Sequence, residues 1–281
     1  GTPITSNTSG IPIGDLAEGR SEDFQACFCG THFFNPPRYL ALLEIIPHGG
    51  SDPALIDFFM AYGRDRLGKT TVLCKDTPAF IANRVGVFAI QALFHTVQDM
   101  GLSIEAVDKL TGPAMGRPKS ATFRTCDVVG LDTLVHVANG VKDNCPDDER
   151  KAVFETPKFV QHLVENGHLG SKSGQGFYWY QDGTKQGSGG QVVEGVAERI
   201  LAMLMNEAAD AVFWQVASPS DVDIAMQKGV NYPKGLLAWA EEWGLQEVVN
   251  LLEALGQRYG EERYRVSPML RDLIRANKSF F

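Results

Sequence analysis

The 281-residue sequence contains no uninterrupted apolar run approaching the roughly 18 to 20 residues that a membrane-crossing helix needs. Its first residues, "GTPITSNTSG", lack the charged and apolar regions of a secretory signal. An excess of positive charge is also missing: 26 Lys and Arg face 34 Asp and Glu, a net charge of −8, which repels polyanions. The expectation is a soluble, cytoplasmic protein with neither a nucleic-acid nor a membrane partner. Five cysteines form no CxxC pair, which argues against a disulfide framework, and Cys27 and Cys29 fit one face of a strand. The six histidines show no HxxxH spacing, and no metal site is expected. What is present is 44% apolar residues, enough for a real core in a chain of about two domains.

Residues 1 to 75 read as short apolar or β-branched strands, "PITSNT", "ACFCGTHFF", "LALLEIIP" and "KTTVLCKD". One helix, "DPALIDFFMAYGRDRLG", interrupts them, with Asp52 as its cap, Pro53 in its first turn and Gly68 at its end. This mixture predicts an α/β sheet buried on both faces. From residue 76 the pattern turns helical, with Thr77-Pro78 capping "AFIANRVGVFAIQALFHTVQDMG" and Ser103 capping "IEAVDKLTG". The polar, Gly-rich stretch "QDGTKQGSGGQ", 181 to 191, reads as a linker or a long surface loop. Beyond it the helical pattern recurs. Arg84 aligns with Arg199, Asp108 with Asp223 and Pro118 with Pro233 at one constant offset, and after a single gap Gly130 aligns with Gly244. Such an offset predicts a tandem duplication whose copies bury apolar faces against each other, the "DTPAFIANR" helix meeting "VAERILAMLMNEAADAVF".

The chemistry gathers in "CGTHFFNPPRYLALLEII". If the chain folds back at Pro36-Pro37 in a pairing centred on Arg38, His32 and Glu44 face one another. A carboxylate inside an apolar strand is costly without a partner, and a histidine is a sensible one. The carboxylate fixes the imidazole tautomer and strengthens the other nitrogen as a general base. Asn83 follows the spacing of Val87, Ile90 and Phe94 on the apolar face of the first long helix, where an amide needs partners. Ser9, between a short strand and a glycine, reads on its own as a turn residue.

In order along the chain, "SNTSG", "GTHFFNPP" with a glutamate beyond it, "DTPAFIANR", "GRPKSATFRTCDVVGLD" and "GSKSGQGFYWY" resemble the L-3-hydroxyacyl-CoA dehydrogenase family of fatty-acid β-oxidation. "DVDIAMQKGVNYPKGLLAWAEEWG" resembles the second C-terminal copy of its longer bacterial members. The resemblance implies His32 as catalytic base, Glu44 as its orienting acid, and Ser9 and Asn83 as substrate contacts, Ser9 also touching the cofactor. It implies NAD and an acyl-CoA substrate, with Arg38, Lys69 and Lys75 as candidates for the CoA phosphates. A homodimer and a fused or associated enoyl-CoA hydratase are the implied partners. No G-x-G-x-x-G occurs in the sequence, a departure from the dinucleotide-binding fingerprint. The expectation is therefore a truncated chain that lacks the N-terminal NAD-binding Gly-rich part and has an incomplete cofactor site. Its fold is an α/β remnant of a Rossmann-like domain, 1–75, followed by mainly helical duplicated C-terminal domains, 76–180 and 192–281. The competing reading is a non-catalytic module for dimerisation or acyl-CoA docking within a multifunctional protein.

Overall fold

The Pro36-Pro37 turn returns the chain between β2 (Phe28–Phe33) and β3 (Leu42–Ile46), which pair antiparallel with His32 opposite Glu44. The ladder ends at Phe33 opposite Leu43, and the prolines that follow Phe34 and Asn35 have no amide with which to extend it. β1 (Ile4–Ser6) joins parallel to β2, and β4 (Thr70–Leu73) parallel to β3, in the order β1-β2-β3-β4. The structure is a computed structural model and describes residues 1–182, 184–186 and 195–281.

Successive strand side chains point to opposite faces, so Leu42 and Glu44 share one face of β3 and Leu43 takes the other. Leu43 packs on α3 (Pro53–Leu67) at Gly63, where an added Cβ would lie 2.8 Å from Leu43 Cδ2. Leu42 packs on α10 (Pro219–Gly229) at Gly229, where a Cβ would lie 2.5 Å from Leu42 Cδ2. Each helix approaches closely because a glycine leaves room. All five residues of β3 are buried, as expected for a strand covered on both sides. Helix α3 has the predicted ends: Asp52 accepts the Ala54 amide at 2.8 Å, and Gly68 closes it at φ 63°.

Three local expectations need correction. Two short helices, α1 (Ile13–Ala17) and α2 (Glu22–Ala26), fall where no element is expected. Cys27 is the C-cap of α2 and lies outside the strand that holds Cys29. All five cysteines are free, and burial pushes the Cys29 thiol up to about 12. Helix α4 (Ala82–Met100) starts at Ala82 instead of directly after Thr77-Pro78. Ala79 and Phe80 take left-handed φ values of 63° and 55°, and Thr77 donates to the Lys75 carbonyl instead of capping.

Gly1–Gly86, Met205–Glu247 and Ser267–Phe281 form one compact unit, and Val87–Leu204 with Val248–Val266 a second. Helix α10 packs on β3 and β4 and so belongs to the compact unit that holds the sheet. In the first unit Arg84 of α4 pairs with Glu207 of α9 (Val196–Phe213) at 3.0 Å. The second is built on α5 (Ile104–Thr111), α6 (Phe123–Val129), α7 (Leu131–Asn144) and α8 (Lys158–Glu165), around the rings of Phe94, Phe123, Phe159 and Phe177. Part of the expected linker is a hairpin, β5 (Trp179–Gln181) with β6 (Thr184–Gln186); residues 183 and 187–191 lie outside the described residues.

The same capping devices recur in both units. Ser103 caps α5 and Ser218 caps α10. Asp108 accepts the Thr122, Phe123 and Arg124 amides at the start of α6, and Asp223 accepts the Leu237 and Ala238 amides of α11 (Leu236–Trp243). Gly130 (φ 104°, ψ 125°) precedes α7, and Gly244 (φ 99°, ψ 117°) precedes α12 (Leu245–Tyr259). A side chain is strained at such φ, so both turns need glycine. The last helix, α13 (Pro268–Ala276), starts at Ser267, whose amide donates to Asn206. Among the described residues no helix is long and apolar enough to cross a membrane.

His95 of α4 bonds the Val153 carbonyl at 3.1 Å in the second unit. Burial, then the Arg263 charge, holds its imidazole below the ordinary 6.5. The folded state therefore prefers neutral His95, a stabilisation present above the unfolded value and lost as pH falls through the folded one. Thermal midpoints should drop as pH is lowered below about 6.5, and His95→Asn should flatten part of that slope. An identical slope in the variant would remove His95 as a cause.

Candidate active site

Strand register delivers the central pair. His32 Nδ1 lies 2.7 Å from Glu44 Oε2, with the histidine 3% exposed and the glutamate 0%. The other glutamate oxygen, Oε1, accepts the Ile81 and Ala82 amides at 3.2 and 3.0 Å. Glu44 is thus both the histidine's partner and the N-terminal cap of α4. The unpaired amides and the dipole of a helix start favour a carboxylate there, which is how this one tolerates full burial. With both glutamate oxygens accepting, Nδ1 carries the hydrogen, and Nε2 keeps its lone pair. Nε2 meets Ser9 Oγ at 2.9 Å. The imidazole is held edge-on by Phe34 at 4.6 Å and tilted against Phe80 at 5.3 Å.

The expected residues divide by place. Ser9, His32 and Glu44 form one hydrogen-bonded chain. Asn83 lies in the first turn of α4, immediately after the amides that Glu44 holds, half-buried and with no side-chain hydrogen bond among the described residues. Arg38, in the hairpin turn, and Lys75, after β4, are exposed. Lys69 is occupied: its ammonium donates to the carbonyls of Pro37 and of Leu40, the latter at 2.7 Å, and so closes the hairpin turn. Sequence reasoning missed Phe80, whose left-handed backbone brings it to the imidazole. It also missed Asp76, which accepts the Ile13 and Gly14 amides at 2.9 and 2.7 Å. Asp76 stands before Thr-Pro like a local helix cap, and nothing in the sequence shows that the helix it caps lies far upstream.

Chemically, Nε2 is a base facing an exposed loop hydroxyl at the carboxyl ends of the parallel strands β1 and β2, where open α/β sheets place their ligands. A serine nucleophile would use a similar chain of three groups. It would also need neighbouring amides for an oxyanion, and those of Gly10 and Ile11 donate to Thr8 Oγ1 at 3.4 and 3.0 Å. The arrangement suits proton exchange with a substrate hydroxyl better than acyl transfer. His162 and Glu165 stand three apart on α8, but among the described residues no three groups of metal-ligating type gather.

The profile described as "3-hydroxyacyl-CoA dehydrogenase, C-terminal domain" matches residues 80–180 and 196–279, and that of the "NAD binding domain" matches residues 1–77. The chain belongs to the 3-hydroxyacyl-CoA dehydrogenase family. The match over 1–77 corrects the expectation that the NAD-binding part is lacking: the strands that hold His32 and Glu44 are themselves NAD-binding domain. A "Probable 3-hydroxyacyl-CoA dehydrogenase" of Bacillus subtilis is 41% identical over 91% of this chain and 37% of its own length. A "Fatty acid oxidation complex subunit alpha" of a Shewanella strain is 28% identical over 100% of this chain and 41% of its own. The chain therefore spans about two fifths of these relatives. The crystal structure of 3-hydroxybutyryl-CoA dehydrogenase from Escherichia coli K12 superposes with TM-score 0.85 at 25% identity, covering 98% of this chain and 76% of that one.

Removing the Glu44 carboxylate leaves three buried donors unpaired, the Ile81 and Ala82 amides and Nδ1–H. Glu44→Ala should cost about 3–5 kcal/mol of unfolding free energy, measured by urea titration. A loss below about 1 kcal/mol, the scale of one ordinary hydrogen bond, would mean that Glu44 does not cap α4.

Proposed function

We propose that the protein oxidises L-3-hydroxyacyl-CoA to 3-oxoacyl-CoA with NAD+ in fatty-acid β-oxidation, His32 acting as the general base. The observation that carries this reading is the Ser9–His32–Glu44 chain at the carboxyl ends of β1 and β2, within a chain of this family. The residues present fit the reacting end of a nicotinamide cofactor: the base nitrogen opens toward an exposed loop beside parallel strand ends. NAD+, when bound, supplies the acceptor for the hydride that leaves C3.

The chain's own residues do the rest. Nε2 takes the hydroxyl proton, and the Glu44 carboxylate stabilises the imidazolium that results. Ser9 Oγ, already on Nε2, and the uncommitted amide of Asn83 hold the substrate oxygen as it changes from alcohol to ketone. Holding that oxygen also fixes C3, and alignment supplies a large part of the rate. Ser9 is the residue assigned to the cofactor side as well. Arg38 and Lys75, exposed and near the sheet, are assigned to the CoA phosphates; Lys69 is spent on the hairpin.

The same reading treats residues 80–180 and 196–279 as two copies of one domain. The shared profile and the matched caps at Ser103 and Ser218, Asp108 and Asp223 support it. A cytoplasmic location, a homodimer and an associated enoyl-CoA hydratase complete the proposal, the last in keeping with the relatives' greater length.

The test is turnover of L-3-hydroxyacyl-CoA with NAD+, followed at the NADH absorbance band. His32→Gln should lower kcat by about 10²- to 10⁴-fold, the usual contribution of a general base, with KM little changed. A variant with near-normal kcat would end the assignment.

A further inference from the structure

The segment between β4 and α4 ties the site together from both sides. At one end the Lys75 amide donates to the Val216 carbonyl at 2.8 Å; at the other, Ile81 and Ala82 donate to Glu44. Between them Asp76 reaches across to α1. That helix starts after Pro12, which offers no side-chain cap, and its first two amides go instead to Asp76, Ile13 to Oδ1 and Gly14 to Oδ2. Two orphan donors at a helix start call for two acceptor oxygens, and a carboxylate provides both.

Helix α1 is anchored beside the base. Ile13 is fully buried, and a Cβ on Gly30 would lie 2.8 Å from Ile13 Cδ1, so α1 rests on the face of β2 that also carries His32. Ser9 lies on the loop leading into α1. Thr8 Oγ1 gives that loop its local turn by accepting the Gly10 and Ile11 amides. The turn sets the loop's shape; Asn7, whose Oδ1 accepts the Phe33 amide at 2.8 Å, holds the loop's first end on β2, and the placement of its second end depends on where α1 is fixed. We propose that Asp76 is a positioning residue: by clamping the start of α1 it sets Ser9 Oγ on His32 Nε2. Its kinetic consequence rests on the reaction proposed above; its geometric one does not.

The experiment is a double-mutant cycle with a spectroscopic companion. Asp76→Ala should lower kcat about tenfold, the scale expected when a positioned group is let go. In a Ser9→Ala background the same change should cost less than about twofold, because the two act through one contact. Asp76→Asn, which keeps one acceptor oxygen, should retain part of the rate and serves for the same cycle if Asp76→Ala does not fold. In ¹⁵N spectra of the imidazole, the His32 Nε2 resonance of the Asp76 variant should move toward its position in Ser9→Ala. Equal losses of kcat in both backgrounds, or an unmoved Nε2 resonance while the Ile13 and Gly14 amides shift, would overturn the proposal. Wild-type protein without turnover would sink the dehydrogenase reading alone, and the resonance comparison would still decide the role of Asp76.

Discussion

The Glu44 carboxylate binds three donors from two places in the chain, and the site takes its form from that. On one side is the imidazole of its cross-strand neighbour; on the other are the first amides of a long helix. A carboxylate at zero exposure would be untenable with one partner, and the helix start supplies the second source of positive potential. The same contact decides the proton on His32: with Nδ1–H committed to Glu44, Nε2 is left as the acceptor. It also fixes the first turn of α4, which carries Asn83. Helix placement and proton inventory are therefore set by one side chain, which the strand register puts in place.

That contact needs a closed environment, and packing provides it. Leu42, on the same face of β3 as Glu44, is covered by α10, which approaches through Gly229. The other face is covered by α3 through Gly63. The helix covering the Glu44 face comes from the second half of the sequence, so the late residues complete the surroundings of a pair formed early in the chain.

Much of this was legible in the residues. The prolines marked the turn, the twelve-residue spacing of His32 and Glu44 fitted the register, Asp52 and Gly68 bounded α3, and the constant offset paired Asp108 with Asp223, each of which accepts amides at a helix start. What escaped was set by tertiary contact. Thr77-Pro78 reads as a helix start, yet the true cap comes from β3, so α4 begins later and Phe80 is free to turn onto the imidazole. Lys69 reads as a phosphate ligand, yet two carbonyls of the hairpin turn occupy it. The missing Gly-rich fingerprint read as the loss of the N-terminal part of the NAD-binding domain, whereas the first 77 residues match the NAD-binding domain. The change in periodicity near residue 76 coincides with the division between the two family matches, 1–77 and 80–180, but it does not report that α10 folds back onto the sheet.

The account's central claim is that Glu44 holds His32 as the Nδ1–H tautomer with Nε2 as the free base. The most direct measurement is the pair of imidazole ¹⁵N resonances of His32 in the neutral ring of the wild-type protein. The account predicts a protonated, pyrrole-like Nδ1 and a pyridine-like Nε2; the reverse assignment, or a fast average of the two tautomers, would contradict it.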